Sequence, residues 1–137
     1  MAVSRRTGQR DVVQLPSADT ISAGELVQYD EAGEVISAVT AKGVLGYALQ
    51  AATNADTVLV DILHPGDVVE VTGITGTMAG SEIGNEADIV SGGLTVTLTE
   101  SNGDLLITGW DGVTTSKLYG TFKNLAHGSP GAGLETT

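Results

Sequence analysis

The chain has 137 residues, no cysteine, nineteen glycines, and six basic residues against seventeen acidic ones, for a net charge of −11. That length fits one domain whose core needs no staple, and the missing thiols exclude disulfides, thiolate nucleophiles and cysteine-ligated zinc. The acidic body repels free nucleic acid, the few aromatics sit beside no basic groove that would bind single strands, and no apolar run approaches the roughly 20 residues of a membrane span.

The absence of cysteine fits a reducing cytoplasm, and the start, MAVSRRTGQRDVV, lacks the apolar stretch of a secretory signal. Arg5, Arg6 and Arg10 fall in the first ten residues with no acid among them; three lysines and all seventeen acids follow. Residues 1–10 have no periodicity and read as a flexible arm, either a contact for an acidic partner or a solvated start of chain. Strands are expected at Val12–Leu15, Glu25–Tyr29, Glu34–Val39, Val44–Ala51, Thr57–Leu63 and Val68–Thr72. In the second half they are expected at Ala87–Val90, Leu94–Thr99, Asp104–Trp110 and Lys117–Asn124. Val58, Val60 and Ile62 alternate with Leu59, Asp61 and Leu63, and Leu94, Val96 and Leu98 alternate with Thr95, Thr97 and Thr99. Period two with threonine outward marks half-buried antiparallel strands. Asp30-Glu31-Ala32-Gly33 and Glu100-Ser101-Asn102-Gly103 read as hairpins, and His64-Pro65-Gly66-Asp67 as a type II turn. Trp110-Asp111-Gly112 is a further turn. Val44–Asn54 is the one rival for a helix and is kept as a strand; a short helix could also lie within Thr115–Ala126. The expected fold is all-β, an antiparallel sandwich or barrel, with an arm at 1–15, a single β-domain at 16–127 and a flexible tail at 128–137.

Nothing in the chain spells a reaction. His64 and His127 are isolated, with no metal-ligand spacing. Asp30, Glu31 and Glu34, and separately Glu82, Glu86 and Asp88, read as solvated acidic faces rather than acid–base pairs. Gly84-Asn85-Glu86-Ala87-Asp88 lacks the dense oxygen spacing of a calcium loop. Gly73-Ile74-Thr75-Gly76 is closed by no Lys-Ser/Thr and is no phosphate loop, and no serine sits in a nucleophile elbow. Trp110, the sole tryptophan, could stack on a sugar, but packing with its indole N–H on a carbonyl is the better reading. No cofactor, no metal and no catalytic residue is expected.

One pattern carries more. It runs Ile21-Ser-Ala-Gly-Glu-Leu-Val-Gln-Tyr-Asp-Glu-Ala-Gly-Glu-Val35, then Val44-Leu45-Gly46-Tyr47-Ala48, then Val58-Leu59-Val60-Asp61-Ile62, then Pro65-Gly66-Asp67-Val68. This stretch, Ile21–Val71, resembles the capsid decoration or cement proteins of tailed phages, of the lambda head-decoration type. The resemblance implies a compact β-tulip-like domain, non-enzymatic and without cofactor. It further implies a homotrimer that binds the major capsid protein on the outer surface of the virion and stabilises the head, made in the host cytoplasm. In such proteins a terminal arm often pairs with capsid-subunit strands. Here that role falls on residues 1–15, with Arg5, Arg6 and Arg10 supplying charge and Val12, Val13 and Leu15 supplying strand pairing ended by Pro16. Removing residues 2–15 then leaves a folded body that no longer decorates. Gly80–Asn124 is expected as an extra sheet or a separate outer feature. Two other classes stay open: a receptor- or carbohydrate-binding β-module of a tail or fibre, which needs an aromatic platform such as Trp110, and a β-barrel enzyme, which needs a polar cluster.

Overall fold

The structure is a computed structural model that describes residues 2–126 apart from 41, 54, 55, 91 and 100. His127 and the expected tail 128–137 lie outside the described residues. The chain is all-β. Its strands are β1 (Val3–Arg5), β2 (Val12–Pro16), β3 (Leu26–Tyr29), β4 (Val35–Ser37), β5 (Gly46–Ala48) and β6 (Thr57–Ile62). They continue with β7 (Val69–Val71), β8 (Ile74–Thr75), β9 (Glu86–Ile89), β10 (Val96–Thr97), β11 (Leu105–Gly109) and β12 (Leu118–Phe122), with one 3₁₀ turn at Gly80–Glu82.

The strands form two sheets, ordered β2-β6-β5-β3-β4 and β1-β7-β12-β11-β9-β10-β8. Every pair is antiparallel except β8 with β10. The alternation in β6 sets the layering. Val58, Val60 and Ile62 join Ile21, Val27, Val35 and Leu45 in one apolar cluster, enclosed by the curled five-stranded sheet. Leu63 turns the other way, into the larger cluster between the sheets with Leu26, Tyr47, Val69, Leu105, Leu118 and Phe122. The inner strands β3, β5 and β6 therefore bury residues on both faces, while β2 stays largely exposed. Its outer strands meet only where Ser17 bridges Val35 in parallel, which makes this sheet a half-barrel.

Gly46 shows why β5 is a strand and not the rival helix. A Cβ at that position would stand 2.0 Å from the Asp61 carbonyl oxygen, so the sheet closes here only around a bare backbone. The turn at His64–Asp67 carries the chain from one sheet to the other. Asp67 N–H donates to the His64 carbonyl at 3.0 Å, and Gly66 takes the positive φ of 91° that a side chain disfavours. Thr115–Ala126 holds β12 rather than a helix. The second half is an integral sheet: its Val69, Ile89, Leu105, Leu118 and Phe122 share one core with Leu26 and Tyr47 of the first half.

Three expectations are corrected. The segment 101–103 does not join paired strands, because β9 inserts between β10 and β11 and pairs with both. Its backbone N–H groups are held instead by the buried Asp88 carboxylate. The alternating run Leu94–Thr99 buries only Val96 fully, leaving a two-residue strand and Leu94 exposed. Residues 2–10, expected as part of a flexible arm, are not free: β1 pairs in register with β7, Val3 opposite Val71 and Arg5 opposite Val69, and Val3 is fully buried. Three residues are too short for a periodicity to show, which is why the strand was not legible.

Candidate partner-binding surface

The first sixteen residues divide into an anchored stretch and an exposed one. Arg5 is the anchor. Its Nε and Nη2 donate to the two carboxylate oxygens of Asp61 at 3.0 and 2.8 Å, and Nη2 also reaches the Ile62 carbonyl at 2.8 Å. Its Nη1 lies 2.6 Å from Asp67. Asp61 is 0% exposed and accepts two more bonds, from the Tyr47 hydroxyl at 2.8 Å and the Asp11 N–H at 3.1 Å. A carboxylate in the middle of the apolar run Val58–Leu63 demands such partners, since an unpaired buried charge is costly. That demand was the signal in the sequence; which cation would answer it was not.

Burial alone would push the Asp61 carboxyl up, but the Arg5 fork and the Asp11 and Tyr47 donors outweigh it and hold it below the ordinary value of 3.8. Asp88 is likewise held low by the N–H groups of Ser101, Asn102 and Gly103 against its own burial. Burial, followed by the Asp61 carboxylate, raises the Tyr47 phenol above 10.0. The signs define a plateau. The lowered carboxyls contribute stability that is present above pH 3.8 and lost as pH falls toward their folded values. The raised phenol contributes stability present below pH 10 and lost as pH rises toward its folded value. Urea midpoints are therefore expected to be flat from about pH 5 to 9 and to fall on both sides. A midpoint that rises on acidification to pH 3 refutes the assignment.

Arg6 leaves the node and lies 3.8 Å over the Tyr119 ring on the outer face of the larger sheet. Arg10 is 61% exposed and only brushes Asp61, at 3.7 Å. Gln9, Arg10, Asp11 and His64 line a shallow depression of about 350 Å³, with His64 Nε2 2.7 Å from the Asp11 carboxylate. The structure thus places the predicted residues unequally: Arg5 is consumed internally, while Arg6 and Arg10 present charge to solvent.

β2 supplies the exposed part. Val12 and Val13 are 43% and 38% exposed, and Leu15 packs partly against the half-barrel core. β2 pairs with β6 along one side only, from Val12 opposite Asp61 to Pro16 opposite Thr57. The Asp11 carbonyl accepts from Ile62 N–H and Ser17 N–H donates to the Asp56 carbonyl, so the odd residues turn their backbone groups inward. By the period of two, Val12, Gln14 and Pro16 turn theirs outward, and no backbone group of a described residue meets Val12 or Gln14 there. This is an unpaired sheet edge.

The other candidates dissolve into structure. Trp110 packs against the core and donates its indole N–H to the Thr114 carbonyl at 2.8 Å. Glu86 pairs with Lys123, and Glu82 accepts from Asn85, apart from the Asp88 site. Among the described residues no three His, Asp or Glu side chains gather as a metal group, and no helix is long and apolar enough to cross a membrane.

The described residues form a two-sheet domain whose buried polar side chains are partnered internally and whose β2 edge is left open. Residues 3–64, which hold β1 and the whole five-stranded sheet, match the family model described as phage cement protein. That match agrees with the resemblance to phage cement proteins at Ile21–Val71. No curated protein matches the chain.

Proposed function

We propose that the chain is a capsid decoration protein that binds the major capsid protein on the outer surface of a phage head, as a homotrimer, and stabilises the shell. The observation that carries this reading is the unpaired β2 edge, with exposed Val12 and Val13 beside the solvent-facing Arg10, inside the matched range 3–64. Arg6 and Arg10 supply the charge that meets an acidic capsid surface, Val12, Val13 and Leu15 supply the strand, and Arg5 positions both by tying residues 3–11 to the body. Threefold association multiplies contacts that singly contribute about 0–1 kcal/mol. The alternative, a receptor- or carbohydrate-binding module of a tail or fibre, loses its aromatic platform because Trp110 is committed to packing.

Binding of the purified chain to undecorated capsid shells, measured against salt, tests the proposal. The double variant Arg6→Ala/Arg10→Ala is expected to bind several-fold more weakly and with a flatter salt dependence, its melting temperature unchanged. Shells that take up the double variant and the wild type equally at every salt concentration rule out attachment through this surface.

A further inference from the structure

The half-barrel has an open seam. Its two outer strands, β2 and β4, are joined at one end only: Ala18 N–H donates to the Val35 carbonyl at 2.9 Å and Ser37 N–H to the Asp19 carboxylate at 3.2 Å. β4 engages its outward Val35 carbonyl and Ser37 N–H there, whereas Val12 and Gln14 of β2 meet no backbone group of a described residue on that side. The parallel bridge at Ser17–Val35 sets the rest of the geometry. Counting back from it, β2 runs toward Val12 while the facing chain runs back through the turn Asp30–Glu34. The turn is acidic. Asp30 spends its carboxylate on the N–H groups of Ala32 and Glu34, which fixes the turn, and Glu31 stands exposed on it.

We infer that this seam is the seat of an extended segment of a neighbouring protein, which adds a strand to β2 and turns a basic side chain toward Glu31 and Glu34. The inference rests on the capsid-binding reading and names what it leaves unnamed, the chemistry of the partner segment. Two observations carry it. The open backbone of Val12 and Gln14 offers two donors and two acceptors, enough for a short ladder and no more, because Pro16 has no N–H to extend it. Leu15 and the half-buried Tyr29 pack against the core of the half-barrel, and the exposed Val13 stands opposite Val60 on the same face as Leu15, so alternate residues of the incoming segment meet apolar ground. The acids of the Asp30–Glu34 turn then favour Lys or Arg at the edge of that segment, while Arg10 at the head of β2 opposes the reverse arrangement.

The parity of β2 makes a selective test. Proline at position 14 removes an outward N–H and leaves the ladder to β6 intact, as Pro16 already does. In binding to undecorated capsid shells, Gln14→Pro is expected to lose at least about tenfold in affinity, and Gln14→Ala to stay within about twofold of the wild type. Glu31→Lys/Glu34→Lys is expected to lose about tenfold. Hydrogen exchange gives a readout that needs no variant: the amides of Val12 and Gln14 are expected to exchange freely in the isolated chain and to become protected on shells. Removal of residues 128–137 is expected to leave affinity unchanged; a tenfold gain would make the chain's own C-terminus the occupant and overturn the inference. Absent protection at Val12 and Gln14 on decorated shells, or Gln14→Pro binding like the wild type, overturns it alone. Shells that fail to take up the wild-type chain overturn the capsid reading and this inference with it.

Discussion

Replacing Arg5 with alanine is expected to lower the free energy of unfolding by about 3–5 kcal/mol, the usual cost of removing one partner of a buried ion pair. The reason lies in what stays behind. Asp61 is fully enclosed, and without the guanidinium it keeps only the Tyr47 hydroxyl, the Asp11 N–H and the distant Arg10. Asp67 loses its cation in the same step. Arg5→Lys keeps the charge but not the fork that holds both Asp61 oxygens, so an intermediate loss is expected. Because much of the cost is an orphaned charge, the double variant Arg5→Leu/Asp61→Leu is expected to be more stable than Arg5→Ala. Urea denaturation at neutral pH reads all three. A loss below about 1 kcal/mol for Arg5→Ala would show that the node does not hold the chain start in place.

Removal of residues 2–11 is expected to prevent folding to the native state, not to yield a folded body without its attachment. The truncation deletes β1, and with it a sheet edge whose Val3 is fully buried between Gly24 and Val71. Burial of one such valine contributes about 1.5–3 kcal/mol. The truncation also removes Arg5, at the about 3–5 kcal/mol already argued. Together these approach the whole margin of a small domain, about 5–15 kcal/mol. The expected readout is loss of near-ultraviolet circular dichroism and of a cooperative thermal transition. A truncated chain that melts cooperatively within about 5 °C of the full chain would restore the picture of a peripheral arm. The practical consequence is that deletion cannot separate attachment from folding here, whereas substitutions at Arg6, Arg10 and Gln14 can.

Much of the architecture was legible in the residues. The alternation Val58–Leu63, the Asp30–Gly33 turn and the Pro65–Gly66 turn are local codes, set by side-chain direction and backbone freedom, and the structure keeps each of them. The pattern from Ile21 to Val71 likewise pointed to the family that matches residues 3–64. What the residues could not reveal was partnership across long separations. Whether Arg5 met solvent or Asp61, fifty-six positions away, depended on the two sheets closing over each other. Whether Val12–Pro16 was a loose strand or an edge fixed to β6 depended on register with residues 57–61. The segment 101–103 looked like a hairpin because the code for a turn is local, while the strand that separates β10 from β11 comes from residues 86–89. Pattern and turn chemistry act over a few residues and are written in sequence. Burial of charge, strand order and the open seam are decided by which distant backbones come within hydrogen-bonding reach, and only the folded chain determines that.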